Sequence, residues 1–104
     1  MTKQKKEKRK RVNKAIHNAG FKVESEVKQS IAGQKAEHRS VDTGRFINSV
    51  NTKLGDMVSY VVSNLPYSKY LEYGTSKITA RKHFRNSLAR KKPEIRRDIQ
   101  TALD

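Results

Sequence analysis

The 104-residue chain contains no cysteine and no tryptophan. Without cysteine there is no disulfide framework and no thiolate metal site. Acidic residues are also scarce: 10 Asp and Glu stand against 24 Lys and Arg, for a net charge of +14. The longest apolar run is Tyr60-Val61-Val62, far short of the roughly 20 residues needed to cross a bilayer. The N-terminus is basic but has no apolar stretch of the kind a secretory signal carries. The expectation is a soluble protein made in a reducing cytoplasm, with no membrane partner. Only 34% of the residues are hydrophobic. A single domain of this size and polarity has a modest core and leans on partner subunits for further burial.

The cations that are present are unevenly distributed. Lys3, Lys5, Lys6, Lys8, Arg9, Lys10, Arg11 and Lys14 are opposed only by Glu7, and eight further basic residues in Arg81–Arg97 only by Glu94. The middle of the chain is nearly balanced. A charge run is usually a solvated face. Two clusters with so little counter-charge make sequence-independent phosphate contact credible. The first cluster surrounds a helix rather than lining one side, so it predicts an arm over residues 1–11, either disordered or a helix extension, that faces nucleic acid or else an acidic surface of a neighbouring protein. Residues 12–104 form the folded domain.

Within that domain, Val12, Ile16, Ala19, Val23, Val27 and Ile31 recur at steps of three and four, which predicts a long helix from about Lys10 to Ala32. Gly33 is placed to stop it. Gly20 inside it weakens the helix by about 1 kcal/mol relative to Ala and suits close packing against another element. Asp42 or Thr43 caps a short helical turn that points Phe46, Ile47 and Val50 inward, or else the chain enters a strand directly. Strands are predicted over Asn51–Leu54 and Met57–Ser63 around a Gly55-Asp56 turn, with a third over Lys77–Thr79. A last helix places Phe84, Leu88, Ile95, Ile99 and Leu103 on one stripe. Pro93 in its interior predicts a kink near Ala89–Lys92, or a break into two helices. The class is α+β: a long N-terminal helix, an antiparallel sheet of about three strands and a kinked C-terminal helix.

Candidate catalytic residues do not hold up. Asp42-Thr43-Gly44 is the triplet of aspartic proteases, and one copy per chain suits a dimeric enzyme sharing a proton between two carboxylates. Such a triplet rests on apolar strand residues, whereas here His38-Arg39-Ser40 precede it and Arg45 follows. A cap beside a Gly turn is the better reading. His17, His38 and His83 have no acidic or His partner at metal-ligand spacing, and His17 lies off the apolar stripe as a solvated residue. Ser40, Ser49 and Ser87 lack a nucleophile context. No enzyme, metal or cofactor is expected.

The tract Tyr67-Ser68-Lys69-Tyr70-Leu71-Glu72-Tyr73-Gly74-Thr75 carries more information. Its rings flank Pro66 and Gly74, where packing and subunit contact are commoner duties for Tyr than base stacking. Glu72 is the only acid between Asp56 and Glu94. It is either an exposed carboxylate or one paired with Arg45, Arg81 or a neighbouring subunit. Gly74, where the tract breaks, calls for a positive φ or a close backbone approach.

Together, Asp42-Thr43-Gly44-Arg45-Phe46-Ile47-Asn48-Ser49-Val50 and the Tyr tract, in this order and spacing, resemble the tail-completion or neck proteins of long-tailed bacteriophages. The resemblance covers roughly residues 12–104. It departs at Lys82-His83, where the family pattern has an Arg-Pro-Phe-like turn. The resemblance implies a structural virion protein at the head–tail junction: a homo-oligomeric, hexameric ring between the head-side connector or stopper and the tail tube, with DNA in its lumen. Tyr67, Tyr70, Glu72, Tyr73, Gly74 and Thr75, with Arg45 and Arg81, are then the expected subunit contacts. The alternative is a free basic nucleic-acid-binding protein without sequence specificity, which would bind as a monomer or dimer.

Overall fold

The computed structural model describes residues 2–35, 43–65, 72 and 82–104. Helix α1 (Lys3–Ile31) is followed by the short helix α2 (Thr43–Ser49), strands β1 (Val50–Gly55) and β2 (Val58–Ser63), and helix α3 (His83–Leu103). The architecture is α+β, with helices packed on an antiparallel hairpin. The described residues hold two strands, fewer than the three expected. The third, Lys77–Thr79, lies outside them.

Helix α1 begins seven residues earlier than its apolar stripe predicts. The first turns have no apolar face, but Lys and Glu are good helix formers. Thr2 caps them, its Oγ1 accepting from the Lys5 N–H at 3.2 Å. The other end closes by geometry that Gly permits. Gly33 has φ 84°, its N–H reaches Ser30 O, and the Gln34 N–H reaches Gln29 O, each at 3.0 Å. A left-handed residue with this pair of hydrogen bonds satisfies two orphan carbonyls of the last turn.

The hairpin lies across α1 in the register Val50↔Ser63 to Gly55↔Val58. Gly20 permits the approach: a Cβ there would sit 2.7 Å from Ser59 Cβ and 2.8 Å from Thr52 Cγ2. The hydroxyls of those same residues donate back to α1, Thr52 to Gly20 O at 3.2 Å and Ser59 to Ile16 O at 2.6 Å. The turn Asp56-Met57 is tied to α1 as well. The Met57 N–H donates to Asn13 Oδ1 at 2.9 Å, and Arg9 pairs with Asp56. His17 is half-buried, with Nε2 2.7 Å from Gly55 O, not the solvated residue its position off the stripe suggests.

The core gathers Val23, Val27 and Ile31 of α1 with Phe46 and Val50, and Ile47, Val61, Leu65, Phe84 and Ile95 pack against it. Phe46, Ile47 and Val50 thus face inward as their pattern predicts, the first two from the short helix α2 and Val50 as the first residue of β1. Helix α3 runs as one continuous element with Pro93 inside it, so the two-helix reading of that segment is set aside.

Candidate assembly and polyanion-facing surfaces

Helices α1 and α3 lie antiparallel, and the seam between them is polar. His83, fully buried, places Nδ1 2.8 Å from Ser30 Oγ and meets Phe46 edge-on at 5.9 Å. Glu26, 4% exposed, accepts from Arg90 Nε at 2.7 Å and has Lys35 and Lys91 within 4 Å. A buried carboxylate is tolerable only with such compensation. Lys22 bridges Glu94, at 3.0 Å, and Asp98. The hydrogen bond to Asp98, then that to Glu94, raises the Lys22 pKa above its ordinary 10.5. The hydrogen bond from Lys22, helped by its charge and that of Lys91, lowers the Glu94 pKa below its ordinary 4.5. Near the far end, Arg11 Nε donates to Ala102 O at 3.3 Å.

These pairs, with Lys28–Glu24 inside α1 and Arg9–Asp56 at the hairpin turn, decide where charge remains. Glu24, Glu26, Asp56, Glu94 and Asp98 are each ion-paired within the chain. The cations of the first three turns of α1 are exposed. Arg9 and Arg11 are tethered to Asp56 and Ala102. Lys3, Lys5, Lys6, Lys8, Lys10 and Lys14 form no ion pair among the described residues. The α3 partner ends beside Arg11, so residues 3–10 reach past it by about 12 Å at 1.5 Å per residue. Residues 3–10 are thus helical, and their lysines, without an ion pair among the described residues, are exposed.

Of the residues expected at a subunit contact, Tyr67, Tyr70, Tyr73, Gly74, Thr75 and Arg81 lie outside the described residues. Arg45 is exposed on α2. Glu72 is 8% exposed and engaged inside its own chain: Oε1 accepts from the Phe84 N–H at 2.9 Å and Oε2 from the Arg85 N–H at 3.0 Å. Glu72 is therefore not an exposed carboxylate. Glu26, Ser30 and Lys22 are not marked by their sequence pattern as seam residues. The available signal is their place on the flank of the α1 stripe, facing a second helix rich in Arg and Lys.

The described residues contain no group of three or more His, Asp or Glu placed to hold a metal ion. No helix among them is long and apolar enough to cross a membrane. A family model described as "Bacteriophage HK97-gp10, putative tail-component" matches residues 1–74. The match takes in α1 with its basic turns, α2, the hairpin and the Tyr tract as far as Gly74; α3 lies beyond it. Neither a curated protein nor a solved structure matches the chain.

Proposed function

The chain belongs to the HK97-gp10-like family of bacteriophage tail components, and from that premise we propose that it is a ring-forming subunit at the head–tail junction. In this reading it is a structural virion protein. Copies close into a hexameric ring between the head connector and the tail tube, and DNA passes through the lumen. The Tyr67–Thr75 tract, with Arg45 and Arg81, supplies the contact between neighbouring copies. The basic first turns of α1 face the DNA.

The match over residues 1–74 carries the reading, because it includes both the Tyr tract and the cationic arm. The charge arrangement supports it physically. Glu26, Glu94 and Asp98 are ion-paired along the α1–α3 seam, and lysines without ion partners among the described residues are left on the projecting end of α1. Such a surface meets a polyanion without reading its sequence.

A stop codon early in the gene, carried in the phage that encodes it, tests the proposal. The expected outcome is DNA-filled heads and finished tails that accumulate unjoined, and join when the protein is supplied. Normal joined particles from the mutant would overturn the reading.

A further inference from the structure

Beside the polar contacts of the α1–α3 seam, the apolar side of α3 sets Phe84 and Ile95 against the core and leaves Leu88 exposed. Phe84, Leu88, Ile95 and Ile99 face a groove of about 300 Å³, with Ile16 and Val23 of α1 among its other lining residues and Val61 on the β2 side. The groove is open, and Leu88 in its lining is 52% exposed. Arg85 precedes Leu88 by three residues, Lys92 follows it by four, and Arg96 precedes Ile99 by three, so all three lie along one flank of the apolar line. All are exposed, and none has an ion pair among the described residues. The α3 carboxylates Glu94 and Asp98 are on the other side, held by Lys22. The groove thus has an apolar floor and a basic edge without ion partners among the described residues.

We propose that this groove docks an amphipathic helix of another protein, apolar on one face and rich in Asp and Glu along the flank that meets Arg85, Lys92 and Arg96. A helix laid in a groove anchors through apolar residues at three- and four-residue steps. Charged rims select the partner and its orientation. Charge argues against a second copy as occupant: the chain carries +14, and its ion-paired carboxylates are already engaged. An apolar floor likewise offers nothing to a sugar-phosphate backbone. The proposal does not depend on the head–tail reading.

The test uses the full chain and a labelled helix-forming peptide with leucines at helical spacing and Glu flanks. Three controls accompany it: the same peptide with Lys flanks, a Glu-flanked peptide with Ser in place of Leu, and a short DNA duplex. Fluorescence anisotropy should show the Leu/Glu peptide binding at least about tenfold tighter than either control peptide. Leu88→Asp should weaken it by about tenfold or more, as expected for an anchor at the centre of an interface. The triple variant Arg85→Gln, Lys92→Gln, Arg96→Gln should abolish the preference for Glu over Lys flanks. These three are surface residues, so this variant keeps the test decisive if Leu88→Asp fails to fold. Peptide binding indifferent to both variants would overturn the proposal. So would self-association abolished by Leu88→Asp, which would make a second copy the occupant. DNA binding abolished in the triple variant without peptide binding would overturn it too, assigning the edge to phosphate.

Discussion

The carboxylate of Glu72 caps helix α3 by accepting the backbone N–H of Phe84, at 2.9 Å, while its second oxygen takes that of Arg85. The residue at the cap position itself, Lys82, is left-handed with φ 54° and makes no side-chain cap bond. A negative charge at a helix N-terminus satisfies orphan donors and complements the helix dipole. One residue of the Tyr tract is in this way fastened to the start of the last helix.

Glu72→Ala should therefore destabilise the fold by about 1–2 kcal/mol, the range of a missing cap. Glu72→Gln keeps an acceptor and should cost less. Denaturant unfolding followed by helical signal checks both. An alanine variant as stable as the parent would mean the cap is dispensable.

Gly20→Ala gives a second test, because two effects of opposite sign compete. Ala gains about 1 kcal/mol of helix propensity. Its Cβ would meet Ser59 Cβ at 2.7 Å and Thr52 Cγ2 at 2.8 Å, and overpacking of this kind costs about 1–3 kcal/mol. Net destabilisation is expected, and thermal unfolding measures it. A rise in melting temperature would show that the hairpin shifts away freely.

The Lys22 bridge makes stability depend on pH at both ends. The lowered Glu94 pKa contributes stability above pH 4.5, lost as the pH falls through the folded value. The raised Lys22 pKa contributes below pH 10.5, lost as the pH rises through its folded value. Lys22→Met should flatten both limbs, and added salt should weaken them in the parent because the groups are partly exposed. Identical pH–stability curves for variant and parent would contradict this.

The arm is testable by salt. Replacing Lys3, Lys5, Lys6, Lys8 and Lys10 by Gln removes cations that have no ion partner among the described residues, so stability should change by less than about 0.5 kcal/mol per substitution. Nonspecific duplex binding should weaken, and its log–log salt slope should fall by about 0.9 for each phosphate no longer neutralised. The same affinity and slope in both proteins would show that these lysines do not touch DNA.

These outcomes follow unequally from the sequence. The stripe from Val12 to Ile31 is legible because burial repeats with the helical period, and Met57–Ser63 because it alternates. Gly20 declares itself as an interruption, and Ser59 and Thr52 explain it. The start of α1 at Lys3 is not legible, since nothing apolar precedes Val12; a cap at Thr2 and tethers to Asp56 and Ala102 hold it. Glu72 could not be placed from sequence. Its partners are backbone N–H groups of Phe84 and Arg85, and no residue type marks a backbone donor. The buried His83–Ser30 pair is hidden for a similar reason, joining residues 53 positions apart. The surface residues of greatest functional interest obey no periodicity, so their role rests on resemblance.

Whether this chain is a ring subunit at the head–tail junction is decided by a cryo-electron microscopy reconstruction of that junction in particles containing it. The expected result is a closed ring of copies between connector and tail tube. Residues 67–75 should lie between neighbours, and the first turns of α1 within about 10 Å, one Debye length, of the DNA. A junction built without this chain, or a ring whose basic turns point away from the lumen, would contradict it.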